Sequence, residues 1–139
     1  MSAPTHSRGP VPVLELCKLQ TLADELGDFR PALRFLTTYI SLLPARLHRI
    51  VSGFQDQDAE ASLDAVLSLR VSSAYVGALE TEAQCLTLES LIREDRLTSA
   101  ADALSALQQH IELCSAAGPD WLASARKCLC PEVLDLAED

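Results

Sequence analysis

The sequence predicts an all-α protein: an antiparallel four-helix bundle with a short helix before it and a short helical appendage after it. Apolar residues recur at alternating three- and four-residue spacings along nearly the whole chain, which is the period of amphipathic helices. Leu and Ala are abundant, whereas aromatic residues make up only 4% and glycines number 5. This composition favours helices over strands.

Length and hydropathy limit the chain to one folded domain. With 139 residues, of which 48% are apolar, the chain can bury a sizeable core but has no room for a second domain. We expect a flexible tail over residues 1–11, the bundle over residues 12–118 and the appendage over residues 119–139. No stretch approaches the roughly 18 apolar residues of a membrane span.

The first two helices follow from their apolar stripes and flanking residues. The first runs over about residues 13–26, and Gly27 is a suitable residue just past its end. The second opens at Pro31, since proline is favoured at the first helical position, and ends at Gly53. We expect a kink at Pro44, because its ring removes a backbone hydrogen bond and crowds the preceding turn.

The third and fourth helices have clearer signals at their ends. The third starts at Asp56 or Asp58, either of which could cap it, and Gly77 can end it. The fourth covers about residues 79–93 and is followed by a polar link.

The fifth helix opens at Thr98 or Ser99, and we expect it to stop at Gly118-Pro119. One or two helical turns should follow in the appendage. Trp121, the single tryptophan, is expected to anchor the appendage to the bundle.

Charge excludes some classes of partner. The chain has 20 acidic and 11 basic residues, a formal net charge of −9, which argues against nucleic acid or an anionic membrane as the main partner. The charge is unevenly distributed, because residues 31–53 carry Arg34, Arg46 and Arg49 and no acid. This segment is either an ordinary solvated helix face or an electropositive side for an acidic partner.

The cysteines predict neither disulfides nor a metal site. Five cysteines form no paired framework, which is typical of reduced thiols in the cytoplasm. Cys128 and Cys130 could hold part of a metal site, but the sequence has no second Cys pair and its histidines are scattered. We therefore expect no metal, and without a glycine-rich phosphate loop we expect no cofactor.

One segment carries functional information. Residues 65–78 read AVLSLRVSSAYVGA, and Cys85, Leu88 and Glu89 follow in the next helix. Both pieces resemble histidine phosphotransfer (HPt) domains, whose signature helix reads apolar-His-x-Leu-Lys-Gly-Ser-Ser/Ala-x-x-Leu-Gly and whose next helix carries Cys-x-x-Leu-Glu. The matching positions in the signature helix are Leu69, Ser72, Ser73, Ala74, Val76 and Gly77. The resemblance covers about residues 12–117 and implies an HPt-like bundle acting in a two-component phosphorelay.

The chain departs from the family pattern at the position that matters most. Leu67 stands where the family has the phosphorylated histidine, Arg70 replaces the lysine and Val71 replaces the glycine. Leucine has no nucleophilic atom, so this position cannot accept a phosphoryl group. The resemblance therefore implies a degenerate member, not an enzyme, that binds its partner without phosphotransfer at the usual position.

Helix geometry predicts that Leu67 points to solvent. At 100° per residue it lies roughly 130° from the inner stripe of its helix. The alternative is that the fifth helix or the terminal segment covers it. The predicted partner-binding residues are Leu67, Arg70, Val71, Asp64 and Ala74.

Phosphate acceptance elsewhere in the predicted bundle would need another histidine, and the bundle has two. His48 has Arg49 beside it and is the alternative phospho-acceptor, although it lies in another helix from the family site. His110 is expected at the boundary between core and surface. Neither has a well-spaced acid in the sequence to fix its tautomer.

The implied partner is the receiver domain of a response regulator or a hybrid sensor kinase. Two alternatives stay open: genuine phosphotransfer through His48, and a helical interaction module unrelated to receivers, for example one that forms a homodimer.

Overall fold

Five α-helices and no strand make up residues 12–129, the part of the chain that the computed structural model describes. The helices are α1 (Leu16–Leu26), α2 (Phe29–Gln55), α3 (Ala59–Val76), α4 (Leu79–Arg93) and α5 (Leu97–Leu129). Helices α2 to α5 form a ring in which each packs against its two neighbours, and α1 lies against α2, α3 and α5. The predicted all-α fold, an antiparallel four-helix bundle with a short N-terminal helix, is confirmed. The predicted tail over residues 1–11 lies outside the described residues, as does Cys130.

One apolar core lies inside the ring, built from the stripes that the sequence predicts. Each fully buried Leu, Ile or Val side chain contributes about 1.5–3 kcal/mol relative to an exposed one. Fully or almost fully buried residues of the ring helices include Leu36, Leu43, Ile50, Val66, Leu69, Val76, Leu88, Leu107 and Ile111.

The chain enters the bundle as an extended segment, so α1 begins at Leu16, later than predicted. The indole Nε1 of Trp121 donates to the carbonyl of Pro12 over 3.1 Å. The backbone N–H of Glu15 donates to the carbonyl of Gly77 over 2.8 Å. These two bonds fasten residues 12–15 to α5 and to the end of α3, and Trp121 is buried as an anchor.

Helix α2 is longer at both ends than predicted. Asp28 caps it, because its side chain accepts a hydrogen bond from the N–H of Arg30, and the helix therefore starts before Pro31. It also continues past Gly53, where a Cβ would lie 2.6 Å from Oγ of Ser62. Gly53 is therefore a point of close approach to α3 rather than a helix end. The kink at Pro44 stays a prediction.

The boundaries of α3 and α4 follow their local signals. Asp58 caps α3 by accepting from the N–H of Ala61, whereas Asp56 ends α2. Gly77, at φ +90°, ends α3 in the left-handed conformation. Helix α4 covers residues 79–93 as predicted.

The predicted end of the fifth helix at Gly118-Pro119 is wrong, because α5 continues to Leu129. A Cβ at position 118 would lie 2.7 Å from Cγ2 of Ile40, so the glycine permits close packing of α5 on α2. Beyond it Trp121 and Ala125 are buried, and their burial favours continuing the helix. Residues 119–129 of the predicted appendage are helical, but they belong to α5, and residues 130–139 lie outside the described residues.

Replacing Gly77 by alanine should destabilise the fold more than replacing Gly27. Both glycines have a positive φ, so each substitution costs about 1–2 kcal/mol of backbone strain. A Cβ at Gly27 meets no atom within 4 Å, whereas one at Gly77 overlaps the carbonyl of Glu15. Urea unfolding of the two variants measures the difference, and an equal loss in both would contradict the proposed fastening of the N-terminal segment.

Candidate functional site

The outward side of α3 carries an exposed apolar strip. Leu67, Val71 and Tyr75 follow one another at four-residue spacing and are 40%, 42% and 49% exposed. We call these three residues the α3 apolar face. The predicted exposure of Leu67 and Val71 is confirmed within the described residues. Coverage by α5 is not observed there, because α5 does not contact α3, and the terminal segment beyond Leu129 lies outside the described residues. Exposed Asp64 and half-buried Ala74 flank the strip.

Tyr75 was missed in the sequence analysis. It is one further helical turn along α3 from Val71, so continuing the same four-residue spacing would have found it. Its ring packs edge-on against Phe35 of α2, with centroids 6.0 Å apart. This contact holds the ring at the edge of α3 next to α2, where half of it stays in water.

Arg46 borders the face on the side of α2. Its Nη1 donates to the carbonyl of Ser68 over 3.1 Å and to the hydroxyls of Ser68 and Ser72 over 3.2 and 2.8 Å. These three acceptors lie on one turn of α3, so Arg46 cross-links the two helices directly beside Leu67 and Val71. No sequence pattern indicates this contact, beyond the presence of two serines four residues apart.

Arg70 borders the face on the side of α4. Its Nε lies 3.2 Å from Oε1 of Glu89. The two groups form an ion pair, but their geometry does not meet that of a hydrogen bond. Glu89 is also paired with Arg93 over 2.9 Å and is mostly buried. Arg70 is therefore held by an acid of the next helix, and it is not a free cation beside position 67.

His48 is exposed, as expected, but on another side of α2. Its ring Nε2 lies 3.4 Å from the hydroxyl of Ser52, and no carboxylate of the described residues lies within 4.0 Å of the ring. It is two residues from Arg46, so its side chain leaves the helix roughly 160° away from the side that contacts α3. The structure does not bring His48 to the α3 apolar face.

His110 is buried, and its predicted boundary position is wrong. Its Nε2 lies 2.9 Å from Oγ1 of Thr81 and 3.4 Å from Sγ of Cys114, and its Nδ1 lies 3.7 Å from Oε2 of Glu80. The carboxylate favours the proton on Nδ1, so we assign the Thr81 hydroxyl as donor to Nε2. Burial lowers the pKa of His110, and Glu80 opposes that shift.

The interior around His110 offers no reactive group. Burial raises the pKa of Cys114 to about 11, so its thiol stays protonated and is a weak nucleophile. Cys85 is buried as well, whereas Cys17 and Cys128 are exposed. Among residues 12–129 no three metal-ligating side chains cluster, and none of the helices is long and apolar enough to cross a membrane.

The chain matches a known protein family. A family model described as Hpt domain matches residues 34–117, more than half of the chain and including the whole α3 apolar face. No curated protein and no solved structure matches the chain.

The burial of His110 should make stability fall in acid. Because its pKa is lowered in the folded state, the unfolded chain takes up a proton first as pH falls below about 6.5. Neutral, buried His110 therefore contributes fully to the free energy of unfolding above that pH. The contribution is lost as pH falls towards the folded-state pKa, by at most about 1.4 kcal/mol per pH unit.

His110→Gln, which can keep a hydrogen bond to Thr81 but cannot be protonated, should flatten the profile of unfolding free energy between pH 7.5 and 5. The matched control His48→Gln should follow the wild type. Parallel profiles for wild type and His110→Gln would contradict this account.

Proposed function

Since the chain belongs to the Hpt domain family, we propose that it is a degenerate phosphotransfer module, which binds a receiver domain but accepts no phosphoryl group at the family's usual position. Hpt domains are phosphate carriers of two-component phosphorelays rather than true enzymes. The observation that carries the proposal is the exposed leucine at position 67, on the outward side of α3.

The register of the motif supports assigning position 67 to the family's histidine. Small and apolar residues from Leu69 to Gly77 coincide with defined positions of the HPt pattern in a single register, and Gly77 ends α3. With that register Leu67 takes the place of an imidazole that must reach solvent to meet a phosphorylated aspartate. A leucine side chain has no lone pair, so no phosphoryl bond can form there.

The proposed contact surface consists of the α3 apolar face and its polar border. Leu67 and Val71 would bury apolar area against the partner, and Tyr75 would add an aromatic anchor with a polar tip. Asp64 lies one turn before Leu67 on the same side, and Ala74 leaves room for a close approach. Arg70, half-buried against Glu89, would contribute a rim charge.

Phosphotransfer through His48 is the alternative mechanism. Exposure of the ring favours it. Two observations disfavour this mechanism. The ring of His48 lies on another side of α2 from the α3 apolar face. Among the described residues no acid lies within 4.0 Å of the ring, and a phosphate-accepting imidazole gains from an acid that orients its tautomer. A module that binds partners unrelated to receivers, including a second copy of the chain, is the third reading.

The proposed partner is the receiver domain of a response regulator or of a hybrid sensor kinase, encountered in the cytoplasm. No cofactor enters the proposal, because the module would compete for a receiver or hold it without chemistry of its own.

Leu67→Asp should weaken receiver binding by roughly tenfold or more, because a carboxylate in the centre of an apolar contact must be desolvated. The matched control is Leu86→Asp, which changes a 45% exposed leucine on α4. Calorimetric titration against a panel of receiver domains measures both. Equal effects of the two substitutions, or no receiver binding by the wild type, would favour the third reading.

Leu67→His should gain phosphoryl acceptance from a phosphorylated receiver if the docking geometry survives. The measurement is transfer of labelled phosphate to the chain, with the acid lability typical of phosphohistidine, and Leu86→His serves as the control. Label on the wild type that disappears in His48→Gln would replace the proposal by the alternative mechanism. Inertness of Leu67→His towards every receiver that binds it would count against a preserved docking geometry.

A further inference from the structure

Arg46 is a half-buried cation without an acidic partner. Among the described residues no carboxylate lies within 4.0 Å of its guanidinium, and its hydrogen bonds go to the hydroxyls and the carbonyl of Ser68 and Ser72. Four other arginines, by contrast, pair with carboxylates: Arg30, Arg70, Arg93 and Arg96. In a chain with 20 acids and 11 bases, a partly desolvated charge without a counter-ion is unexpected.

The guanidinium has donors to spare. All the hydrogen bonds of Arg46 to α3 leave from Nη1, which carries two of the five N–H groups. The edge formed by Nε and Nη2, with the remaining N–H groups, takes no part in the cross-link. That edge has the geometry that binds a carboxylate through two parallel hydrogen bonds.

A small cavity lies beside Arg46 between α2 and α3. Its volume is about 60 Å³, and Thr38, Ser72 and Arg46 give it polar walls while Phe35 and Tyr39 give it aromatic ones. We call it the Arg46 cavity. It is far smaller than the roughly 300 Å³ at which pockets for drug-sized ligands begin, so it suits a group of a few heavy atoms.

The Arg46 cavity adjoins the α3 apolar face. Ser72 follows Val71 in the chain, and Phe35 holds the ring of Tyr75. The surrounding stretch of α2 carries Arg34 and Arg49 and no acid, so its potential attracts anions although the whole chain is acidic. An anion in the cavity would therefore lie at the edge of any apolar contact made on α3.

We propose that the Arg46 cavity is the binding site for a side-chain carboxylate, an Asp or Glu of the partner that docks on the α3 apolar face. The identity of that partner rests on the proposed function. The inference adds that the partner carries an acidic residue beside the apolar residues with which it contacts α3. The carboxylate accepts from Nε and Nη2 of Arg46 and from the hydroxyl of Thr38, and it supplies the counter-ion that the chain lacks.

The test uses the full chain labelled with ¹⁵N and needs no partner. Sodium acetate is titrated against sodium chloride at equal ionic strength while the Nε–H of Arg46 and the amides of Thr38 and Ser72 are followed by NMR. Acetate should shift these resonances with saturation and chloride should not. A response to acetate no different from that to chloride would overturn the proposal, as would saturation of the same resonances by inorganic phosphate at lower concentration.

Three variants test whether acetate binds in the Arg46 cavity. Thr38→Leu fills the cavity without touching the cross-link to α3, so the saturable shift should be lost in a chain that stays folded. Arg46→Lys keeps the charge but lacks the planar edge and should also lose saturation, whereas Arg49→Lys, on the same helix and exposed, should behave as the wild type. Retention of saturation in Thr38→Leu would overturn the proposal even if Arg46→Lys unfolds.

The two proposals fail separately. Saturation by acetate without binding of any receiver would remove the proposed function and leave the carboxylate site. Binding of a receiver without saturation by acetate would remove the carboxylate site and leave the proposed function.

Discussion

The interface between α2 and α3 sets the rotation of α3 about its own axis, and the orientation of the candidate site depends on that rotation. Contacts are made at successive levels of the two helices: Phe35 with Tyr75, Tyr39 with Ser73, and Arg46 with Ser68 and Ser72. Each of these contacts joins a particular pair of side chains, so rotating α3 about its axis by one residue position would break all three contacts. The side of α3 that faces neither α2 nor α4 is therefore fixed, and Leu67 lies on it.

Polar groups inside the bundle strengthen this specification. The phenol of Tyr39 and the hydroxyl of Ser73 are 2.7 Å apart, and Thr81 contacts His110 on the other side of the core. An unmade hydrogen bond in the interior costs about 1–3 kcal/mol, so alternative registers that separate these pairs are disfavoured. The same desolvation keeps the interior uncharged, since burial raises the pKa of Tyr39 and lowers that of His110.

Position 67 contributes little to the core, and the fold therefore does not dictate which residue occupies it. A leucine there has no atom that could accept a phosphoryl group, and it leaves the packing of α3 on α2 and α4 intact. The apolar side chain also changes what the surface can do, because it extends the strip formed by Val71 and Tyr75. The proposed function rests on this combination of an exposed apolar side chain at position 67 and a fold that does not depend on it.

Features of the fold that have local causes can be predicted from the amino-acid sequence alone. Apolar spacing, the cap at Asp58 and the left-handed end at Gly77 each act within a few residues, and helical rotation alone turned Leu67 outward. Tertiary structure decided the rest, because its causes join residues far apart in sequence. The Gly118-Pro119 pair is a local stop signal, yet α5 continues through it because Gly118 fits against α2 and the residues beyond it are buried. The burial of His110 and the cross-link made by Arg46 likewise depend on partners at least 22 positions away, which no periodicity along one helix can reveal.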